Sequence, residues 1–402
     1  MLIVKKVLKR VKENIDDLQA TNDLLRVKKN HKCSGQIKVG FLVQLPEIWD
    51  KQVLVYEAMK NNNKFKVYLF VVPKYDFIAG SVETKYEDNY FLNKYEDAIK
   101  TYNRDTWIDL KEYNLDYLFY PRPYDHYLPK QYRSSATRKF VKCCYIPYGY
   151  NGGQQFDGMN TDKKFFKNIY CVFADTDYTA DLISKKFNSS KEKAAHKIVF
   201  LGYPALEPYF DIKNKNVINT VLWSPRWTYD ENIGGSHFLE YKDIVLDWAK
   251  KYPNIKVVFR PHPLMFEELI KKKKMTEQEV QEFFGELERL GIEYDRGNQI
   301  YEVFGKTDVL VTDFSSIIIE YFVTGGPIIY CDGIISFNEG YEIIKDEIYR
   351  VKNEDELDNA FIEIINNKLE ISESRKDIIE KLKENHKHAT DRIVEAIIDD
   401  AR

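Results

Sequence analysis

The run from Thr307 to Tyr330, TDVLVTDFSSIIIEYFVTGGPIIY, limits what this chain can fold into more than any other stretch. Asp308 to Thr312 is a short apolar run that ends in polar residues. Asp313 to Ser316 then offers several helix N-caps, Ile317 to Val323 is apolar, and Gly325-Gly326 ends the helix before another apolar run, Pro327 to Cys331. The pattern predicts strand, tight turn, helix, strand. In such a unit the helix begins at the carboxyl end of the strand, where free backbone N–H groups and hydroxyls suit an anion, most simply a phosphate. The same Asp313, Ser315 and Ser316 could instead cap a buried helix, so the rest of the chain has to decide.

The 402 residues suffice for two domains of ordinary size, each with its own core. A hydrophobic content of 44% beside 31% charged residues is that of a soluble globular protein, with no segment apolar for long enough to span a bilayer. A net charge of −3 argues against nucleic acid as a partner, because no excess of Lys and Arg exists to neutralise its phosphates. Cys33, Cys143, Cys144, Cys171 and Cys331 lack zinc-like spacing and read as free thiols in a reducing compartment. The opening MLIVKKVLKRVKENI lacks the apolar core and cleavage site of a secretory signal. The expected location is the cytoplasm, with peripheral contact to the inner face of the plasma membrane as an option.

That option comes from residues 1–31, which read as an amphipathic helical segment. Val4, Val7, Leu8, Val11, Ile15 and Leu18 recur at helical spacing, while Lys5, Lys6, Lys9, Arg10 and Lys12 fill the other faces. A basic amphipathic helix can lie on an anionic membrane, or it can pack on the first domain with its basic face solvated. From Ile37 the pattern changes to strand-length apolar runs, IKVGFLV, KVYLFVV, DYLFY, VKCCYI, NIYCVFA and KIVFLG, separated by polar segments that can hold helices. After the linker-like DIKNKNVIN a second series follows: TVLWS, KVVFR, DVLVT and PIIYC. Alternating strand and helix implies α/β domains with mostly parallel sheets. We expect one α/β domain at 32–210, a second at 211–370 and closing helices at 371–402.

Three polar motifs fall at predicted strand ends of the second domain: SPRW at Ser224 to Trp227, RPHP at Arg260 to Pro263, and TDFSS at Thr312 to Ser316. Those ends face the ligand crevice of an open α/β sheet. Arg226, Arg260 and His262 can then reach phosphate oxygens while Asp313, Ser315 and Ser316 line the turn, the flanking prolines holding the His262 loop rigid. No DxD-type metal cluster is convincing, and no cofactor is expected. In the first domain, Gly149, Gly152 and Gly153 in YIPYGYNGGQQ would let backbone approach a ligand closely, or form an ordinary Gly-rich turn. His126 in YPRPYDHY lies at the correct end of the first sheet to act as a base, with Asp125 to orient it. Asp157 and Glu47 read as solvated carboxylates, His237 as part of a mobile Gly-rich loop, and His31, His196, His386 and His388 as surface residues. With 29 Tyr and 24 Phe, aromatic clusters around Tyr117 to Tyr132 and Tyr145 to Tyr150 suit a polyol or sugar acceptor, and core packing equally well.

KVVFRPHP, TDVLVTDFSS and the following G-P-I-I-Y strand, with VLWSPRWTYD before them, resemble the C-terminal domain of the CDP-glycerol glycerophosphotransferases, the teichoic-acid primases and polymerases. The resemblance spans Val221 to Asp332. It implies a GT-B-type fold, two Rossmann-like domains facing a central cleft, with the donor nucleotide held mainly by the second. It also implies metal-independent transfer of glycerol phosphate or a related alditol phosphate from a CDP-alditol to a hydroxyl of a cell-surface glycan or lipid-linked acceptor, releasing CMP. By position, His262 matches the family histidine on the donor phosphates, and Ser315 and Ser316 match its phosphate-binding hydroxyls. The chain departs from the family where a His-Gly is expected as the base: Tyr148-Gly149 stands there. A tyrosine with an ordinary pKa near about 10 is a poor base at neutral pH. That departure keeps open a GT-B glycosyltransferase using a CMP- or UDP-activated sugar for capsule or cell-surface polysaccharide, and a non-catalytic nucleotide-binding protein.

Overall fold

The computed structural model describes the chain except residues 1, 31, 32, 34, 77–80, 83–88, 104, 213–216, 231, 298, 299 and 367–370, and describes 2–5, 75, 76 and 81 as backbone alone. His31, the expected boundary at 31–32 and part of the expected linker lie outside the described residues. The chain divides into two compact units. Unit 1 comprises Met1–Gly149, Asp157–Ala205 and His388–Arg402; unit 2 comprises Tyr150–Phe156 and Leu206–Lys387.

Unit 1 carries a seven-stranded parallel sheet of β1 (Ile37–Val43), β2 (Phe65–Val71), β3 (Ile99–Lys100), β4 (Tyr117–Tyr120), β5 (Lys142–Tyr145), β6 (Cys171–Ala174) and β7 (Lys197–Phe200), in the order β7-β6-β5-β4-β1-β2-β3. Strands buried on both faces need continuous apolar runs, which is what the sequence supplies. The Phe41 ring of β1 stacks on Phe119 of β4 at 4.6 Å, which locks neighbouring strands together on one face. One helix, α1 (Leu2–Asn30), precedes the sheet, and α2 (Val53–Lys60) follows β1.

The two halves of α1 differ. Ala20, Thr21, Leu24 and Val27 are buried, and Asp16, Asp17 and Asp23 pair with Arg138, Lys163 and Lys167 of the same unit. Toward the N-terminus, Val7, Leu8, Val11, Ile15 and Leu18 stay between 49% and 62% exposed. The apolar stripe read in the sequence is therefore not packed on unit 1.

Unit 2 carries a six-stranded parallel sheet of β8 (Thr220–Ser224), β9 (Lys256–Phe259), β10 (Glu293–Tyr294), β11 (Val309–Thr312), β12 (Ile328–Cys331) and β13 (Tyr349–Val351), in the order β10-β9-β8-β11-β12-β13. Helices α3 (Phe238–Lys251), α4 (Glu277–Arg289), α5 (Ile317–Phe322), α6 (Glu354–Asn366) and α7 (Glu373–His386) accompany it. Ser224 pairs in register with Thr312, and Thr312 with Tyr330. The loops carrying SPRW, TDFSS and Asp332 therefore leave the sheet along one edge. Between β8 and β11 the strand order reverses, which is the switch point where open α/β sheets bind ligands.

The expected run of closing helices at 371–402 is divided: α7 belongs to unit 2, whereas α8 (Ala389–Ala401) returns to unit 1 and packs on α2. Asp400 fixes it there, accepting from Lys142 Nζ at 2.8 Å, Tyr117 Oη at 2.8 Å and Tyr170 Oη at 2.7 Å. Two histidines also depart from a surface position. His386 is buried against Tyr150, and His196 stacks on Phe187 at 3.9 Å with Nδ1 2.7 Å from Ile169 O. His388 is exposed, in a left-handed conformation at the start of α8.

Candidate functional site

In unit 2 the residues after β8, β9 and β11 form one connected arrangement. Asp313, 2% exposed, is its hub. Its carboxylate accepts from Arg226 N at 2.7 Å, from His237 N at 3.2 Å and from His237 Nδ1 at 2.7 Å. Arg226 in turn donates through Nη1 to Phe314 O at 2.9 Å and through Nη2 to Ile233 O at 3.1 Å. Asp313 and Arg226, both expected at the phosphate, are bonded to neighbouring loops in this structure. Arg260 is similarly engaged, its guanidinium bonding Asp295 and donating to Gly297 O at 2.7 Å. The reason is electrostatic: a buried carboxylate and two cations near it are satisfied by each other's loops before any ligand arrives.

His262 is exposed, and Ser315 and Ser316 are half-buried. His262 Nδ1 accepts from Leu264 N at 3.2 Å, which places the proton of the neutral ring on Nε2. Desolvation first, and then the charge of the Arg226 guanidinium, lower its pKa. At neutral pH His262 is an uncharged N–H donor. Ser316 has helical backbone angles and no capping hydrogen bond, and Ser315 Oγ lies 3.5 Å from Ile317 N, at the limit of a bond. Capping does not occupy these hydroxyls. Because α5 has only six residues, the hydroxyls rather than a long helix dipole are what the turn offers an anion.

The turn is braced by the stretch expected to be a ligand loop. Residues 150–156 pack within unit 2: Asn338 N donates to Gly152 O at 2.9 Å, and Gln154 N to Ser336 O at 2.9 Å. A Cβ on Gly152 would lie 2.5 Å from the Tyr341 ring, and one on Gly153 would lie 2.8 Å from Phe314. Tyr341 Oη donates to Ser315 O at 2.9 Å. Gly152 and Gly153 thus admit the Tyr341 and Phe314 rings that pack at the Phe314-Ser315 turn. Gly149, by contrast, belongs to unit 1.

His237 is the residue whose part the sequence hid. A Gly-rich loop suggested mobility, yet its ring stacks on Tyr241 at 5.2 Å and bonds Asp313. Burial alone would lower its pKa, but the Asp313 hydrogen bond and charge outweigh this and raise it. The signal available in sequence was only that Asp313 and His237 both follow strands of one sheet.

In unit 1, Gln44, the loop 121–129 and Tyr148 follow the neighbouring strands β1, β4 and β5. His126 lies exposed on that loop, its ring 4.1 Å from that of Tyr127; desolvation and then the Arg122 charge lower its pKa. The Asp125 carboxylate accepts from Ser134 N. The Tyr148 ring meets Tyr124 edge to face at 5.8 Å. Glu47 is exposed, whereas Asp157 accepts from Tyr178 Oη at 2.6 Å. Among the described residues, no three His, Cys, Asp or Glu side chains gather as metal ligands would.

Residues 154–399 match the family described as CDP-glycerol:poly(glycerophosphate) glycerophosphotransferase. No curated protein matches the chain. Among solved structures, the chain is similar to the wall teichoic acid polymerase TagF, with 14% identity and a TM-score of 0.54 over 99% of this chain and 97% of that one. It is similar to the UDP-GlcNAc 2-epimerase of Methanocaldococcus jannaschii, with 13% identity and a TM-score of 0.56 over 90% of this chain and 99% of that one. A glycosyltransferase from Rickettsia africae gives 12% identity and a TM-score of 0.53 over 92% and 100%. At such identities the likeness is one of fold, the GT-B type of two Rossmann-like α/β domains.

Proposed function

The chain belongs to the CDP-glycerol:poly(glycerophosphate) glycerophosphotransferase family, an enzyme that moves an alditol phosphate from a CDP-alditol to an acceptor hydroxyl, and we propose that unit 2 holds the donor diphosphate on His262, Ser315 and Ser316. One observation supports this reading: among the described residues His262 Nε2 and the Ser315 and Ser316 hydroxyls donate no hydrogen bond, while Arg226, Arg260 and Asp313 are bonded into neighbouring loops. A neutral Nε2–H and two hydroxyls suit phosphoryl oxygens, with the Arg226 charge behind them adding positive potential. Arg226, Arg260 and Asp313 act by positioning.

The acceptor hydroxyl would attack the alditol-bearing phosphorus. The new P–O bond forms as the bond to the bridging oxygen breaks, and CMP leaves with the electron pair. The hydroxyl proton passes to His126, whose lowered pKa keeps it neutral and able to accept at pH 7, while Tyr148 orients the acceptor. Glycerol phosphate is the proposed unit and a cell-wall glycan the proposed acceptor. The test is CMP release from CDP-glycerol, CDP-ribitol and UDP-sugars with added acceptor. His262→Ala is expected to lose roughly 100-fold or more in kcat, and full activity in that variant would sink the assignment.

The N-terminal half of α1 is further proposed to rest on an anionic membrane surface. Its exposed stripe of Val7, Leu8, Val11, Ile15 and Leu18 is flanked by exposed Lys6, Lys9, Arg10 and Lys12. No described helix is long and apolar enough to cross a membrane.

A further inference from the structure

Arg122 of unit 1 is a half-buried cation that no described carboxylate meets. Its guanidinium carbon lies 4.5 Å from the Tyr127 ring centre and 5.8 Å from that of Tyr124. One Nη2–H donates to Gln44 Oε1, and Gln44 is itself fixed, donating to Pro73 O at 2.9 Å and to Tyr127 O at 3.4 Å. Desolvation lowers the Arg122 pKa. Among the described residues no Asp or Glu pairs with it. Three fully buried cations of the unit do have a carboxylate: Arg138 meets Asp16 and Asp23, Lys142 meets Asp400, and Lys51 meets Asp50. A desolvated guanidinium lacking a counter-charge is unfavourable in the free protein and poised for an anion.

Topology gives a second, independent pointer. Gln44, Arg122 and Tyr148 follow the carboxyl ends of β1, β4 and β5. From β1 the chain builds outward through β2 and β3, and from β4 outward through β5, β6 and β7 on the other side. The β1/β4 junction is the switch point of this sheet, the place where an open α/β domain receives its ligand. A planar fork of donors there, beside the phenols of Tyr124 and Tyr148, matches phosphate oxygens better than a neutral sugar face.

We propose that Arg122, with Tyr124 and Tyr148, binds a phosphate ester carried by the acceptor. This rests on the reading of the chain as an alditol-phosphate transferase. An acceptor already bearing alditol phosphate, or joined to lipid through phosphate, brings such an anion close to the hydroxyl being extended. The shared chemistry is the phosphate ester, and the two sources are separable.

The full-length protein, without donor, is titrated calorimetrically with bis-glycerol phosphodiester as a soluble probe, and with phosphatidylglycerol in neutral detergent micelles as the lipid-borne one. Arg122→Gln is expected to weaken binding about tenfold or more, and Arg122→Lys to lose less. An effect on the soluble probe upholds the site for the glycan-borne ester; an effect confined to micelles upholds it for the lipid headgroup. Equal binding of both probes by wild type and Arg122→Gln overturns it. In turnover the variant should raise KM for a phosphate-bearing acceptor and leave KM for CDP-glycerol unchanged; the reverse pattern assigns Arg122 to the donor and overturns the proposal. Arg122→Met should melt no lower than wild type, since it removes an uncompensated charge. A clear drop in melting with unchanged phosphate binding makes Arg122 structural and also overturns it. Because binding is read without donor, failure of CDP-glycerol as substrate is distinguishable from failure of this site.

Discussion

At the residue scale, the motifs place polar side chains at strand ends but do not show their partners. Arg226, Arg260, His262, Asp313, Ser315 and Ser316 all follow strand ends of one sheet, as their spacing from apolar runs implies. What spacing could not show is that Asp313 would take N–H donors from Arg226 and His237, or that Asp295 would engage Arg260. Hydrogen bonds between loops remote in sequence depend on register, which no local pattern encodes. The His237–Asp313 pair has a pH signature. Its folded pKa is raised above the ordinary value of about 6.5, so the protonated ring is favoured in the folded state. That stabilisation is fully present below the unfolded pKa and is lost as pH rises through the raised folded value. Melting of the wild-type protein between pH 6 and pH 9 should therefore show a decline that His237→Gln lacks. An identical slope in the variant would rule the pair out as its source.

At the element scale, the sheets are legible because parallel strands covered on both faces must be continuous apolar runs. TVLWS is β8 as read, while KVVFR, DVLVT and PIIYC each give a strand one residue shorter than the run. Strands β3, β10 and β13, of two or three residues, are too short to carry a period and escape notice. Helix α1 shows the limit of periodicity differently. One amphipathic pattern covers two halves with different surroundings, one buried by ion pairs and apolar contacts and one bare. Flotation with vesicles containing phosphatidylglycerol tests the bare half. Replacing Val7, Leu8 and Val11 by Ser should reduce vesicle binding several-fold, since each buried CH₂ contributes about 0.8 kcal/mol to interfacial binding. High salt should weaken binding as well, because the flanking lysines act through screened charge. Wild-type protein that fails to float, or a triple variant that floats equally, defeats the membrane assignment.

At the scale of the whole molecule, the chain does not keep its units in simple succession. Residues 150–156 leave unit 1 to brace the Phe314-Ser315 turn, and α8 returns from unit 2 to close unit 1. Asp400 secures that return: burial would raise its pKa, but the Lys142 and Tyr170 hydrogen bonds outweigh this and lower it. Its contribution is present above the unfolded carboxylate pKa of about 4 and lost as pH falls through the folded value. Asp400→Ala leaves Lys142, 3% exposed, without its carboxylate, and is expected to destabilise unit 1 by about 3 kcal/mol in urea titrations. A variant as stable as wild type would show that α8 is held by apolar packing alone. The sequence by itself determined two α/β units, the strands and helices that build them, and the strand ends where polar motifs gather. These follow from hydrophobic period and turn chemistry, which act within a few residues. Only the tertiary structure decided that Arg226, Arg260 and Asp313 are bonded into neighbouring loops while capping leaves the Ser315 and Ser316 hydroxyls free, that two glycines serve aromatic packing, and that no described carboxylate meets Arg122. Each of those depends on charges and rings brought together from strands far apart in the chain, where electrostatic pairing and close packing select the partners.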